Sequence, residues 1–249
     1  MLGIIGGSGL TQLPTLNIFR REIIRTPYGE PSGALVFGEW NNCEIVFLPR
    51  HGYGHSIAPH KINYRANVWA LKQAEPDCIL AVAAVGSIRE EWSPGTLVVP
   101  DQIIDYTWGR HTTFFDGEGL PLHHVDFTHP FQPDLRLKIL QAAEAINEPV
   151  IDGGVYAATQ GPRLETAAEI IKYRRDGADL VGMTAMPEAA LARELELSYA
   201  AINVVSNHAA GIGQSSHCVS LEEIEEDLEQ TMLRVRKIIG QICLDMNEC

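Results

Sequence analysis

Short apolar runs alternate with helical patterns from one end of the chain to the other, and this alternation is what most narrows the fold. The runs at residues 2–5, 34–37, 44–48, 78–83, 96–99, 150–157, 179–183 and 199–205 are mostly hydrophobic and too short for helices, as expected of strands buried on both faces. Residues 63–73, 134–146, 166–175, 187–197 and 221–244 instead carry helical patterns. In the last of these, Leu221, Ile224, Leu228, Val235, Ile239 and Ile242 recur at spacings of three, four and seven, and Ser220 with Glu223 makes a capping box at its start. Strands interleaved with helices predict an α/β chain with a mixed, mostly parallel β-sheet flanked by helices. No repeat or composition break divides the 249 residues, so the expectation is one domain over residues 1–249. Residues 103–133 stand apart. Gly109, Gly117, Gly119, Pro121, Pro130 and Pro133, with aromatics and histidines between them, read as a long functional excursion rather than a linker.

Composition removes several function classes. Nineteen Lys and Arg against 32 Asp and Glu give a net charge of -13, which opposes a partner bound by neutralising a phosphate backbone; nucleic acid is not expected. No run reaches the ~20 apolar residues of a membrane helix, and the N-terminus MLGIIGGSG lacks the basic flank of a signal peptide, so a cytoplasmic protein with no membrane partner is expected. Cys43, Cys78, Cys218, Cys243 and Cys249 form no CxxC pair and no zinc spacing, and read as reduced thiols. His123, His124 and His129 lack the HExxH spacing of a zinc site, and no metal is expected.

The polar and glycine-rich segments fall at the carboxyl ends of the strands, where open α/β sheets bind ligands. The first run ends in Gly6, Gly7, Ser8 and Gly9, a composition suited either to a tight turn or to wrapping a small anion with backbone N–H groups and a hydroxyl. It matches neither the dinucleotide GxGxxG pattern nor the triphosphate loop. The third run ends in Arg50 and His51, a permanent guanidinium and an imidazole; surface pairing and a structural histidine are the bland alternatives, and joint occurrence with Ser8 and Thr184 favours anion binding. No local Ser-His-Asp or Cys-His pattern, GxSxG elbow or carboxylate couple appears, so the chemistry is expected to use a bound nucleophile.

The segments GIIGGSGL from Gly3, LPRHGYGHSIAPHKINYRANVWAL from Leu48, AVGSIREEWSPG from Ala84, PDQIIDYTWGR from Pro100, GGVYAATQGPRLETAAEI from Gly153 and DLVGMTAMPEAALARELEL from Asp179 closely resemble the purine nucleoside phosphorylase and methylthioadenosine phosphorylase family over nearly the whole chain. The resemblance implies the single-domain nucleoside phosphorylase fold, assembly as a homotrimer, inorganic phosphate as co-substrate and no cofactor. Position by position, it implies phosphate contacts from Ser8, Arg50, His51, the backbone at Ala83 and Ala84, and Thr184, with His55 a second histidine nearby. It further implies Met183 against the ribose, Leu164 against the base, a base contact around Asn207, His208 and Ala209, and His124 reaching a neighbouring subunit's site. Two departures stand out: Ala83 replaces a common Thr and so lacks a hydroxyl, and Leu164 replaces a common stacking aromatic.

The segment Ser206-Asn207-His208-Ala209 departs from the TDxD pattern of members acting on 6-aminopurines and resembles those acting on 6-oxopurines, which carry Asn at the position of Asn207. An ionised carboxylate only accepts, suiting an exocyclic amine; an amide also donates, suiting O6 while its carbonyl accepts from a protonated N7. Asn207 is thus the expected catalytic group, stabilising the departing base. Glu165 matches a position that influences specificity, or else favours a helix dipole. For the 5' end of the nucleoside, Val219 implies an apolar methylthio pocket and His217 a hydroxyl contact. Together these imply phosphorolysis of a methylthio-6-oxopurine nucleoside, with methylthioadenosine or inosine and guanosine as alternative substrates. A nucleosidase using water would not need Ser8, Arg50 and Thr184; a binding module would hold the nucleoside without turnover.

Overall fold

The computed structural model describes residues 1–7, 10, 16–117, 123–219 and 221–247, without the side chains of 221–227. Among these residues eleven strands form one mixed sheet. Its centre is parallel: β1 (Leu2–Gly6) lies between β4 (Cys43–Pro49) and β5 (Cys78–Ser87), and β5 also pairs in parallel with β11 (Tyr199–His208). Antiparallel neighbours extend both flanks. On one side β3 (Leu35–Trp40) and then β2 (Asn17–Glu22) follow β4. On the other, β10 (Leu180–Gly182) pairs antiparallel with the end of β5 and parallel with β9 (Val155–Ala158), which pairs with β7 (Gln102–Asp105); β6 (Leu97–Val99) joins β11 to β8 (Ile151–Asp152).

Alternation along the strands sends side chains into two layers. Leu2, Ile4, Ile202 and Val204 pack under α2 (Pro133–Ala145) and α5 (Leu221–Asn247) through Leu135, Ile139, Met232, Val235 and Ile239. Ile5, Ala81, Ala201 and Val205 pack the other way, under α1 (Tyr64–Gln73) and α4 (Ala185–Glu194), against Val68, Leu71, Ala189 and Leu191. A smaller cluster seats α3 (Ala167–Arg175) on β9 and β10 through Ile170, Tyr173 and Val181. Local signals start the helices. Asn63 caps α1 by accepting from Ala66 N–H, and Thr166 with Glu169 forms a full capping box on α3. The predicted Ser220 and Glu223 capping box lies outside the described residues.

One strand expectation needs correction, and two strands escaped the sequence pattern. The run 150–157 is two strands, because Gly153 and Gly154 adopt φ of 97° and 123°, a conformation that breaks the ladder. β2 has no apolar alternation, since an edge strand exposed at every position needs none. Residues 102–105, at the head of the long excursion, form β7, held by backbone pairing to β9 rather than by a hydrophobic run. Further along that excursion, Phe114 and Phe131 enter the core.

Candidate active site

The carboxyl ends of β1, β4, β5, β10 and β11 converge on one cavity of about 390 Å³. Its lining includes Gly7, Arg50, His51, His55 and Pro59 from the first half of the chain, then Ala83, Ala84, Val85 and Gly86 from β5. Pro162, Leu164 and Glu165 come from the loop after β9, Met183 and Thr184 from the end of β10, and Ser206, Asn207, Ala209, Ala210 and Val219 from β11 and beyond.

Arg50 sits at the cavity floor with its side chain only 1% exposed. Its Nε and Nη2 donate to the two carboxylate oxygens of Glu188 at 2.7 and 2.8 Å, and Nη1 donates to the Val82 carbonyl at 2.9 Å. Tyr199 Oη donates to the same carboxylate at 2.8 Å. Burial alone would lower the pKa of the guanidinium, but the charge and hydrogen bonds of Glu188 raise it above its usual value. Among the described residues three of the five guanidinium N–H groups have protein partners, and two remain that a ligand could use. Gly7 is required beside them: a Cβ there would stand 2.6 Å from Arg50 Nη1 and 2.8 Å from the Val82 carbonyl oxygen.

His51 and His55 lie ring to ring, tilted by 33°, with centroids 4.2 Å apart. Burial, and then the neighbouring Arg50 charge, push His51 down to about 4 against the opposing hydrogen bond to Ile57; His55 is lowered by the same two causes. His51 Nδ1 lies 2.8 Å from the Ile57 carbonyl oxygen, which can only accept, so Nδ1 carries the proton and Nε2 is left as an acceptor.

The opposite end of the cavity is built for hydrogen bonding in both directions. The β5–β11 register slips between Val205 and Asn207, and this bulge lets consecutive residues Ser206 and Asn207 both line the cavity, which an unbroken strand would not allow. Asn207 Nδ2 donates to the His208 carbonyl at 2.7 Å while Oδ1 accepts from Ser206 Oγ at 2.9 Å, fixing the amide with one N–H and one lone pair to spare. Glu165 accepts from Thr159 Oγ1 at 2.7 Å, and lies outside the helix, one residue before the α3 cap.

Arg50, His51, Ala83, Ala84, Thr184, Met183, Leu164, Glu165, Asn207, Ala209 and Val219 therefore meet in one place. His208 does not belong there. Its imidazole turns away, with Nε2 3.1 Å from the Glu90 carbonyl and the ring packed against Gly213. Ser8 lies outside the described residues. Val219 rather than His217 lines the cavity; His217 is exposed, as is His124. Sequence reasoning missed Glu188, although a buried arginine demands an acidic partner and the motif MPE contains one. It also gave Ser206 no separate role.

The cavity at the strand ends of this mixed sheet thus has a paired arginine at its floor and neutral imidazoles and an amide in its wall, offering N–H donors to an anion and hydrogen bonds in both directions to a polar ring. The chain belongs to the phosphorylase superfamily, whose family model matches residues 1–243. Among its relatives is a protein from Pseudomonas syringae pv. tomato named probable S-methyl-5'-thioinosine phosphorylase, 49% identical over 239 residues that cover 96% of each chain. The 6-oxopurine nucleoside phosphorylase of Pyrococcus furiosus is 46% identical over 243 residues, 96% of this chain and 90% of that one. Methylthioadenosine phosphorylase from Schistosoma mansoni, solved in complex with adenine, superposes with a TM-score of 0.93 at 34% identity, covering 100% of this chain and 92% of that one.

Proposed function

We propose that the chain catalyses reversible phosphorolysis of S-methyl-5'-thioinosine to hypoxanthine and 5-methylthioribose 1-phosphate, a purine-salvage reaction. The observation that carries this reading is the joint presence of Asn207, Glu165 and Val219 in one cavity. A 6-oxopurine carries an N1–H that a carboxylate accepts, and an O6 that an amide N–H reaches; adenine presents a bare N1 lone pair and an amine instead. Val219 gives the 5' end an apolar wall suited to a methylthio group.

Phosphate is proposed to sit on the free N–H pair of Arg50, with His51, Thr184, Ser8 and the backbone at Ala83 and Ala84 around it. A phosphate oxygen bonds to C1' as the C1'–N9 bond breaks, and that electron pair leaves on the purine. The departing purine takes a proton from solvent at N7, and Asn207 stabilises it by donating to O6 and accepting from that N7–H. One such transition-state hydrogen bond contributes ~3–4 kcal/mol, so Asn207→Ala should lose about a hundredfold in kcat. The proposal requires no metal and no cofactor, because phosphate is itself the nucleophile.

The homotrimer that the resemblance implies belongs to the same proposal. A cytoplasmic setting agrees with the absence, among the described residues, of any helix long and apolar enough to cross a membrane.

The test is release of free base from S-methyl-5'-thioinosine, S-methyl-5'-thioadenosine and inosine, each with and without phosphate. Phosphate-dependent release that is fastest from methylthioinosine is expected. Preference for methylthioadenosine would overturn the reading of Asn207, preference for inosine that of Val219, and base release without phosphate the phosphorolytic reaction itself.

A further inference from the structure

Arg110 makes five hydrogen bonds and one longer polar contact without lining the cavity. Nη2 donates to the carbonyls of Thr159 and Gln160 at 3.1 and 2.9 Å, and Nη1 to those of Met183 and Met186 at 2.8 and 2.5 Å. Nε reaches the Gln160 side-chain carbonyl at 3.2 Å, and Nη1 makes a longer contact of 3.4 Å to the Tyr64 hydroxyl. Every acceptor is neutral, so the guanidinium serves these contacts as a planar set of donors rather than as half of an ion pair.

The place of these contacts in the sheet gives them meaning. β9 and β10 run in parallel up to the pair Ala158 and Gly182, and the Thr159 N–H to Gly182 carbonyl bond at 2.7 Å is the last across them. Beyond it the ladder ends, with the Met183 side chain packed against Gly161, and the two chains go on to different parts of the cavity wall. One continues to Leu164 and Glu165, the other to Met183 and Thr184. Arg110 takes carbonyls from both chains just past that point and bridges them where the ladder ends.

We infer that Arg110 is a positioning residue that fixes the base-facing loop against the ribose- and phosphate-facing segment. The inference rests on the proposed phosphorolysis, in which base and nucleophile stand on opposite sides of C1' and their relative placement governs the rate. A lysine keeps the charge but gathers its donors on one atom, and cannot reach both chains in the same way.

The test compares the parent with R110K and R110A. Expected is a fall in kcat per folded molecule of about tenfold or more in R110K, since a misplacement on the order of 1 Å costs up to about a hundredfold. Binding of phosphate alone and of hypoxanthine alone should change little. Hydrogen exchange should accelerate at residues 159–165 and 183–186, and added guanidinium ion should partly restore R110A. Unchanged kcat per folded molecule in R110K, with only a lower melting temperature, would assign Arg110 to stability and overturn the inference. So would equal weakening of the two isolated ligands with kcat preserved. A parent that prefers another purine nucleoside overturns the substrate reading alone, and the Arg110 comparison is then made on that nucleoside.

Discussion

Replacing Glu188 with Gln keeps the volume of a fully buried side chain and removes only its charge and one acceptor. The carboxylate now takes two N–H groups from Arg50 at 2.7 and 2.8 Å and the Tyr199 hydroxyl at 2.8 Å. An amide offers one oxygen for these donors and turns its NH2 towards a guanidinium N–H, donor against donor. Breaking one partner from a buried ion pair costs ~3–5 kcal/mol, a large share of the ~5–15 kcal/mol by which folded proteins exceed their unfolded chains. For a chain of this size that lowers the melting temperature by roughly 6–20 °C.

A second consequence separates this pair from an ordinary core contact. With Glu188 neutral, Arg50 keeps an uncompensated charge at the cavity floor, and an anion entering the cavity becomes its counter-charge. Phosphate should therefore raise the melting temperature of Glu188→Gln more than that of the parent, with chloride at equal ionic strength as the control. Tyr199→Phe, which removes a single hydrogen bond to the carboxylate, supplies a milder step of about 1–2 kcal/mol should the first variant fail to accumulate. A loss below about 3 °C in Glu188→Gln, or a phosphate shift no larger than the parent's, would refute the reasoning.

Three further outcomes follow from the site. Asn207→Asp removes the donor that meets O6 and sets a carboxylate oxygen against the His208 carbonyl now held at 2.7 Å; the ratio of kcat/KM for methylthioinosine over methylthioadenosine should fall about tenfold to a hundredfold, as steady-state assays on both will show. Val219→His should raise kcat/KM for inosine relative to methylthioinosine by placing a hydrogen-bonding ring where the wall is apolar, and an unmoved ratio in competition assays would count against Val219 as the 5' wall. His51 at about 4 lies below its ordinary 6.5, so between those values the unfolded chain binds a proton that the folded chain refuses; its stability contribution is intact above pH 6.5 and is lost as pH falls towards 4, and His51→Asn should flatten that part of a denaturation-against-pH profile.

The central strands were legible because parallel strands buried on both faces need continuous apolar sequence, and the runs at 2–5, 44–48 and 199–205 supply it. β2 and β7 were not, because an edge held by backbone pairing places no demand on side-chain pattern. Strand ends alone pointed to Gly7, Arg50, His51, Ala84, Thr184 and Asn207, while Met183, Leu164, Glu165 and Val219 were legible only through the family resemblance. What escaped depended on geometry that spacing does not encode. The bulge after Val205 decides that Ser206 and Asn207 face inward while His208 turns to Glu90, and no periodicity in VVSNH marks it. Glu188 lies 138 positions from Arg50, so their pairing is a fact of three dimensions.

If phosphate is the co-substrate, as proposed, the tautomer of His51 bears on its recognition as well as the charge around it. With Nδ1–H committed to Ile57, the nitrogen left over needs a proton donor across from it. Inorganic phosphate near neutral pH still carries an O–H and can satisfy that nitrogen; sulfate, of the same shape and similar charge, carries none and would set oxygen lone pairs against it. On the proposed reading, a wall that looks merely uncharged would discriminate between two tetrahedral oxyanions, and sulfate is expected to compete poorly with phosphate in the base-release assay.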